Sequence, residues 1–366
     1  MSDDLVLGMI GAGNIASRHL ANLEFLGRNR IVGLCDLDLD KAKELSGRCG
    51  AKPYTNFEEM FDREPGLDAV VICTPPIVRR SIFELAIERG IGVYCEKPPA
   101  DTLEEAKHIA HMVDGSDIIC SVGFHMRYSP SIDRFRELME GRTVNFVQSI
   151  SAGSSAVTRS LDDWFFLKEK SGGHIMDQAI HSIDLMRLVV GEISHVQTFG
   201  NNIVCPKMND FTIEDTTCTN IRFAGGASGS HIHSWAAQRG INELMIAGAD
   251  FTFSLAPHSP PRVSGWIGEP GQDHEKVDQT FPQGPAMGRS GRISEKRRLK
   301  DPPDPPHCES MQVFLEAVRT GDGSRIRSLF SNAVQSLATV LAMNRSIDSG
   351  QVEVVELSGE PPTHPN

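Results

Sequence analysis

The chain has 366 residues, which is enough for two domains of about 150 residues each or for one large α/β barrel. Hydrophobic residues make up 40% of it and charged residues 23%, a balance typical of a folded globular protein and not of a disordered one. The 36 basic and 48 acidic side chains give a net charge of −12, which argues against nucleic acid or an anionic membrane as a partner.

Neither a membrane-spanning segment nor a secretory leader is predicted. No run of about 18 apolar residues occurs, and Asp3 and Asp4 stand where a leader would be basic. The eight cysteines are scattered without a C-x-x-C pair. This pattern predicts reduced thiols, no structural zinc site and a cytoplasmic location.

The first 120 residues alternate short apolar runs with helical patterns. The apolar runs are Leu5–Ile10, Ile31–Cys35, Ala69–Cys73, Ile91–Cys95 and Ile118–Val122. The helical patterns between them are Ile15–Leu26, Asp40–Cys49, Val78–Arg89 and Thr102–Asp114. Short apolar strands separated by helices predict a parallel, doubly wound sheet that is buried on both faces.

After residue 123 the pattern changes to one long helix and several extended segments with no helix between successive ones after residue 190. The predicted helix is Gly173–Val190, and the extended segments are Val144–Ala152, His195–Ile203, Asp215–Phe223, Ala227–Ser234 and Glu243–Phe253. Alternating polarity in several of them predicts an antiparallel sheet with one covered face and one open face. Residues 257–306 hold ten of the 21 prolines and are expected to be irregular. The last predicted elements are helices at Ser310–Arg319 and Arg325–Ser349 and a strand at Val352–Leu357.

The first motif is the turn Gly11–Ala16, which reads G-x-G-x-x-A between a predicted strand and a predicted helix. Gly11 permits the tight turn, and Gly13 allows the backbone to approach a pyrophosphate at the helix N-terminus. A glycine-rich turn can also merely connect two elements, but the strand and the helix around this one favour dinucleotide binding. The predicted cofactor-binding residues here are Gly11, Gly13, Asn14 and Ile15.

The acidic residue Asp36 ends the second predicted strand, where a carboxylate can accept hydrogen bonds from the adenosine ribose. A carboxylate there repels a 2′-phosphate, and the next residue is Leu37 and not an arginine. The sequence therefore predicts NAD as the cofactor in preference to NADP.

Two further turns follow predicted strands, at Cys73–Pro76 and at Cys95–Pro99. Ligands of doubly wound folds bind at the carboxyl ends of the strands, so both turns are expected to face the cofactor. They contribute the candidates Thr74, Pro75, Glu96 and Lys97. Taken alone, Lys97 could equally be an ordinary exposed lysine in a turn.

The long helix carries Asp177, His181 and Asp184 after a pair of glycines. Their spacing places the three side chains on one face of a regular helix. An exposed polar stripe has the same spacing, so this pattern by itself leaves both interpretations open.

These motifs, together with Gly123–Pro130, resemble the glucose–fructose oxidoreductase/inositol dehydrogenase (Gfo/Idh/MocA) family in order and approximate spacing over about residues 5–190. The resemblance implies a Rossmann domain at 1–123 and an α+β domain with a large, mostly antiparallel open sheet at 124–366. The C-terminal helices are expected to be able to return to the first domain. It also implies NAD(P)-linked oxidation or reduction of sugars, cyclitols and related compounds.

Carried over residue by residue, the resemblance implies that Lys97, Asp177 and His181 form the catalytic set. His125 joins the predicted cofactor-binding residues, and the predicted substrate-binding residues are Lys97, Arg127, Trp164, His174, Asp177 and His181. The sequence departs from the family pattern where His174 replaces the usual third glycine, where Ala179 replaces a glycine and where Phe165 follows Trp164. These departures leave the identity of the substrate open.

The roles within the catalytic set follow from ordinary acid–base chemistry. Oxidation of an alcohol needs a base, and a histidine such as His181 titrates in the right range. Lys97 would hydrogen-bond the reacting oxygen, and Asp177 would position a hydroxyl or the imidazole. Lys97 as the base is the alternative, since a positive charge nearby can lower the pKa of a lysine.

Other functions have weaker support in the sequence. His231 and His233 share a strand face, but no further ligand stands at the right spacing, so no metal site is predicted. The alternatives that stay open are an NAD-requiring glycosidase of the same fold and a non-catalytic NAD-binding regulatory protein. An open sheet face commonly becomes a subunit interface, so a homodimer or homotetramer is expected, as the family also implies.

Overall fold

A computed structural model of the protein describes residues 4–154, 166–205, 211–258, 260–269, 271–282 and 305–356. The described residues form two compact units, one comprising 4–128 and 305–333 and the other 129–282 and 334–356. Within them, no helix has the length and apolar character needed to cross a membrane.

The first unit is built on a six-stranded sheet in the order β3-β2-β1-β4-β5-β6, with all neighbouring strands parallel. Its strands are β1 (Leu5–Ile10), β2 (Asn29–Cys35), β3 (Lys52–Tyr54), β4 (Ala69–Ile72), β5 (Gly92–Cys95) and β6 (Cys120–Val122). This is the strand order of the Rossmann fold, and it reverses between β1 and β4. The predicted doubly wound parallel sheet is confirmed.

Five helices accompany this sheet: α1 (Asn14–Leu26), α2 (Leu39–Cys49), α3 (Phe57–Arg63), α4 (Arg79–Glu88) and α5 (Leu103–Asp114). Strand β3 and helix α3 were not predicted. The strand has three residues, two of them exposed. Its central residue, Pro53, has no backbone N–H to donate to a neighbouring strand. Such a strand is tolerated at the edge of a sheet, where β3 lies, but it has no apolar run to reveal it.

The second unit is built on a nine-stranded sheet in the order β14-β13-β12-β11-β7-β10-β9-β8-β15. Its strands are β7 (Phe146–Ala152), β8 (Ile193–Asn201), β9 (Thr216–Phe223), β10 (Ser228–Ser234), β11 (Ile241–Ala247), β12 (Phe251–Ala256), β13 (Arg262–Ile267), β14 (Glu275–Thr280) and β15 (Glu353–Val354). Strands β7 and β10 are parallel and the other neighbours are antiparallel. The mostly antiparallel sheet is therefore as predicted.

Burial alternates along the central strands. In β9, Thr217, Thr219 and Ile221 are buried, whereas Cys218 and Asn220 between them are exposed. The sheet therefore has one covered face and one open face, as the alternating polarity of the sequence indicated.

Two predictions for this sheet were wrong. The single extended segment predicted at 243–253 is the hairpin β11–β12, which turns at Gly248, where a Cβ would lie 2.4 Å from the carbonyl oxygen of Thr143. The region predicted to be irregular contains β13 and β14. Its prolines lie outside these two strands and so do not interrupt their ladders.

Among its described residues, this unit contains α6 (Pro130–Leu138), the single turn α7 (Lys168–Ser171), α8 (Ile180–Val190) and most of the C-terminal helix at Phe330–Ser349. A π-helical turn at Ile175–Ala179 precedes α8. The sequence predicted a continuous regular helix over this stretch, because a π turn has no residue pattern of its own. Such turns occur frequently at functional sites.

The C-terminal helices are α9 (Pro305–Thr320) and α10 (Phe330–Ser349). Helix α9 completes the core of the first unit, where Met311, Phe314 and Leu315 are buried together with residues of β1, β4 and β5. The Phe314 ring meets Tyr94 edge to face at 5.6 Å, and the Tyr94 hydroxyl lies 2.9 Å from Ser310 Oγ.

Replacing Phe314 with alanine should destabilise the first unit by about 3–5 kcal/mol, because it removes a fully buried ring from the core. Urea denaturation followed by circular dichroism measures this loss. Leu329→Ala is the control, since that side chain is half exposed and should change stability by less than about 0.5 kcal/mol. Equal effects of the two substitutions would contradict the placement of α9 in this core.

A cluster of buried histidines lies in the second unit. His174, which precedes the π turn, packs its ring 4.8 Å from that of His233, and His231 lies 5.9 Å from His233 on the same strand. Burial lowers the pKa of His174 to about 3 and that of His231 to about 4. Both imidazoles are therefore neutral in the folded protein at neutral pH.

This cluster should make the stability of the second unit depend on pH. Below pH 6.5 the unfolded chain binds protons at these histidines and the folded chain does not, so the free energy of unfolding falls towards pH 4. His174→Gln should remove about 2 kcal/mol of the loss between pH 6.5 and 5. Urea titrations at several pH values measure this slope.

The matched control for the slope is His274→Gln, because His274 is exposed in the same unit. It should leave the pH dependence of the wild-type protein unchanged. A His174→Gln protein with the wild-type slope would show that His174 is protonated in the folded state.

Candidate active site

The glycine-rich turn lies between β1 and α1, as predicted. Gly11 has a φ of +97°, and a Cβ there would lie 2.8 Å from the carbonyl carbon of Cys73. Only glycine therefore fits this position without strain. The Gly11 N–H donates to the Cys35 carbonyl at 2.7 Å, which holds the turn against the end of β2.

The N-terminus of α1 is suited to an anion. Gly13 caps the helix without a side-chain hydrogen bond, and the first turn with Asn14 and Ile15 contains no acidic residue. A Cβ built on Gly13 would have no atom within 4 Å, so the space beside the turn is open. Unpaired N–H groups at the positive end of a helix dipole fit a pyrophosphate.

Asp36 is held beside this turn by two backbone hydrogen bonds. Its Oδ2 accepts from the Ala12 N–H at 2.7 Å and its Oδ1 accepts from the Asp38 N–H at 2.9 Å. Each oxygen keeps a lone pair with which it can accept a further hydrogen bond. Leu37 beside it is 92% exposed and brings no positive charge.

The turns after β4 and β5 lie at the same carboxyl edge of the sheet. Thr74 and Pro75 follow β4, and Glu96 and Lys97 follow β5, which is the next strand in the sheet. The Thr74 hydroxyl is buried without a hydrogen-bond partner. In the sheet order, β4 and β5 lie on the opposite side of β1 from β2, so these two turns lie on the opposite side of the glycine turn from Asp36.

Glu96 is a buried carboxylate at the centre of this edge. Its Oε1 lies 2.7 Å from His19 Nε2 on α1, and its Oε2 accepts from the Lys97 N–H at 3.1 Å. Burial alone would raise the pKa of Glu96. The hydrogen bond from His19 and the nearby charges of His19, Lys97 and His307 instead lower it to about 2.

The Glu96 carboxylate leaves no room for a side chain at residue 123, which is the glycine that follows β6. A Cβ on Gly123 would lie 2.9 Å from Glu96 Oε1. The next turn, His125–Tyr128, carries two of the predicted site residues. His125 is buried and stacks on His307 of α9 with ring centroids 3.4 Å apart.

Arg127 is buried and contacts other residues of the first unit. Its guanidinium donates to the Arg327 carbonyl at 2.9 Å and to Asn332 Oδ1 at 2.5 Å. The guanidinium of Arg327 in turn stacks over the Tyr128 ring. These contacts stabilise the segment that follows β6, and the predicted role of Arg127 in substrate binding stays a prediction.

The other two predicted catalytic residues lie in the second unit. Asp177 lies within the π turn and His181 in the first turn of α8, and both are half-buried. The turn is anchored by Gln178, whose Oε1 accepts from the indole N–H of the buried Trp235 at 2.8 Å. His174 belongs to the buried histidine cluster described above.

Asp184, the third acidic or basic residue of the predicted helix face, contacts other residues of the second unit. Its Oδ1 accepts from Ser336 Oγ at 2.8 Å and lies 3.7 Å from Arg187 Nη1. Asp184 is therefore buried between α8 and α10 and is not part of an exposed polar stripe. Trp164 lies outside the described residues.

The first unit thus brings together Gly11, Gly13, Asp36, Thr74, Glu96, Lys97 and His125, and the second brings together His174, Asp177 and His181. Sequence reasoning missed His19, His307, Gln178 and Trp235. His19 and His307 are buried in α1 and α9, Gln178 is half-buried in the π turn and Trp235 is buried just after β10, and none of the four belongs to a motif that the sequence displays. Among the described residues, no group of three or more histidine, cysteine or acidic side chains could hold a metal ion.

Comparison with known proteins gives consistent matches. A levoglucosan dehydrogenase of Pseudarthrobacter phenanthrenivorans is 30% identical over 54% of this chain and 57% of its own length. A myo-inositol 2-dehydrogenase of Thermotoga maritima is 25% identical over 65% of this chain and 71% of its own. An uncharacterized oxidoreductase (YrbE) of Bacillus subtilis is 25% identical over 62% of this chain and 66% of its own.

Among solved structures, levoglucosan dehydrogenase in complex with NADH and L-sorbose has the same fold. Its TM-score is 0.82 at 22% identity, over 97% of this chain and all of that one.

Residues 5–124 match the family described as "Oxidoreductase family, NAD-binding Rossmann fold", and residues 134–254 match the "GFO/IDH/MocA C-terminal domain". Because these matches cover more than half of the sequence, the chain belongs to the Gfo/Idh/MocA family of oxidoreductases, and its first domain is an NAD-binding Rossmann fold.

Proposed function

We propose that the protein is an NAD-dependent dehydrogenase acting on a secondary alcohol of a sugar, a sugar derivative or a cyclitol. The observation that carries this proposal is the placement of Lys97 beside the buried Glu96, at the sheet edge that also carries the pyrophosphate turn. A regulatory NAD-binding protein would need the turn but not the lysine. The relatives named for inositol and levoglucosan support this class of substrate.

NAD would be held by the N-terminus of α1, by Asp36 and by the turns that contain Thr74, Pro75 and Glu96. The ribose hydroxyls would donate to the remaining lone pairs of Asp36. His125 would support the nicotinamide side through its contact with His307. When bound, the nicotinamide would supply the hydride chemistry, taking up a hydride with both bonding electrons from the alcohol carbon or returning it in the reverse direction.

The side chains of this protein would handle the proton of the alcohol. We assign His181 as the acid/base, because oxidation of an alcohol needs a base and the half-buried imidazole of His181 is not sealed within the core. Lys97 would donate a hydrogen bond to the reacting oxygen and stabilise the negative charge that develops on it. Asp177 would orient a substrate hydroxyl or the imidazole. Lys97 as the proton acceptor is the alternative assignment.

Substrate selection is assigned to the same second-unit turn and its surroundings. His174 is fully buried, so it would act on substrate binding through the shape of the π turn and not by direct exposure. Arg127 and Trp164 are proposed as further substrate-binding residues. We place the protein in the cytoplasm, a proposal supported by its eight free cysteines.

We further propose that the protein forms a homodimer or homotetramer. The support is the open sheet face, which exposes large apolar side chains that include Phe199, Met245 and Trp266.

The first prediction from this function concerns the cofactor. Wild-type protein should bind NADH more tightly than NADPH by at least about tenfold, because the Asp36 carboxylate repels a 2′-phosphate. Replacing Asp36 with serine and Leu37 with arginine should erase or reverse this preference. Fluorescence titration measures both dissociation constants. Tighter binding of NADPH by the wild-type protein would refute the role of Asp36.

The second prediction concerns catalysis. Lys97→Met and His181→Asn should each lower kcat by about a hundredfold or more while the NADH dissociation constant changes little. The measurement is NADH formation over a panel of sugars, sugar acids and inositols. Lys43→Met and His108→Asn are the controls, since both side chains are exposed in the first unit.

Two outcomes of the same assay would contradict the proposed function. NADH formed in proportion to substrate consumed is expected of a dehydrogenase, whereas release of an aglycone without net NADH would indicate a glycosidase. Near-normal turnover by Lys97→Met would remove Lys97 from the reaction.

A further inference from the structure

The buried guanidinium of Arg79 donates hydrogen bonds to the turn after β4 and to the turn after β5. Arg79 is the first residue of α4 and is 1% exposed. Its Nη1 donates to the carbonyl oxygens of Glu96 and Pro98, and its Nη2 donates to the Thr74 carbonyl at 2.8 Å. One side chain therefore contacts the turn after β4 and the turn after β5.

The partners of Arg79 are unusual for a buried arginine. Its carbonyl partners all belong to the main chain, the Cys95 thiol lies close enough to interact with it, and its Nε is buried without a hydrogen-bond partner. Burying a guanidinium is costly unless its donors are well satisfied, and well-packed apolar residues often stabilise a fold as well or better. Stability alone therefore does not account for an arginine here.

The carbonyls that Arg79 binds flank Lys97 on both sides. The Glu96 carbonyl belongs to the peptide group that precedes Lys97, and the Pro98 carbonyl follows it. The N–H of Lys97 is bound independently by Glu96 Oε2. The backbone on either side of Lys97 is thus held by two buried side chains, one cationic and one anionic.

The planar guanidinium explains why arginine suits this position. It presents several N–H donors in a fixed arrangement, so it can bind carbonyls of two different turns at once and set the distance between them. A lysine carries the same charge on a single nitrogen and cannot reproduce that arrangement.

We propose that Arg79 is a positioning residue for Lys97, and that it couples the Thr74 turn to the lysine turn so that both keep one geometry. This inference rests on the proposed dehydrogenase function. It adds a residue that touches neither substrate nor cofactor and that acts through the backbone of the lysine turn.

The first test measures backbone protection without any turnover. Hydrogen–deuterium exchange followed by mass spectrometry should show faster exchange in peptides that contain the Lys97 amide in Arg79→Lys than in wild-type protein. Arg79→Gln should show a larger increase, because it retains only one amide group as donor. Arg80→Lys is the matched control, since its exposed guanidinium pairs with Glu84 and Glu105 at the surface.

The second test separates positioning from simple loss of folded protein. NADH titration counts the folded sites, and kcat is then expressed per NADH-binding site. Arg79→Lys should lower this kcat by about tenfold or more, because small displacements of a catalytic group are costly. The NADH dissociation constant should stay within about threefold of wild type, and Arg79→Gln should be affected more strongly than Arg79→Lys.

The outcomes distinguish this inference from the proposed function. Unchanged exchange around Lys97 in both Arg79 variants would overturn the positioning role, whatever reaction the enzyme catalyses. A wild-type kcat per NADH site in both variants would overturn it as well. The proposed function is decided separately, by Lys97→Met. Faster exchange together with a lower kcat in the Arg79 variants, and neither in Arg80→Lys, would support the inference.

Discussion

The candidate site of the first unit depends on the hydrogen bonds made by the ionised carboxylate of Glu96. Burial alone would raise the pKa of Glu96, but the hydrogen bond from His19 and the nearby charges of His19, Lys97 and His307 keep the carboxylate ionised. Through His19 it connects the helix that begins at the pyrophosphate turn with the turn that carries Lys97. Gly123 is excluded from having a side chain by the same carboxylate. One buried charge thus contacts helix α1 and the turns that follow β5 and β6.

Two buried histidines of the second unit are uncharged, in contrast to the buried, ionised Glu96 of the first unit. His174 and His231 are kept neutral by burial, so no counter-charge is needed next to them. The Trp235–Gln178 hydrogen bond then fixes the π turn that carries Asp177. The candidate residues of the two units therefore have different surroundings: the ionised Glu96 binds the Lys97 amide, whereas the neutral His174 precedes the π turn that carries Asp177.

Much of the fold and part of the site could be predicted from local patterns. Buried parallel strands are short and apolar, so β1, β2, β4, β5 and β6 were predicted close to their observed bounds, and the glycine turn was predicted between β1 and α1. Patterns failed where a residue's environment comes from distant segments. The exposed strand β3, the hairpin at Gly248 and the π turn at Ile175–Ala179 have no periodic signature.

The sequence by itself determined the Rossmann topology, the open antiparallel sheet and the positions of Gly11, Asp36 and Lys97 at strand ends, because these follow from spacing along the chain. Only the tertiary structure decided that His19, Arg79 and His307 surround Lys97 and Glu96. These residues come from α1, α4 and α9, which are separated by up to 288 positions (307 − 19) in the chain. Burial and hydrogen bonds between such distant residues form only when the chain folds, so a local pattern in the sequence does not predict them.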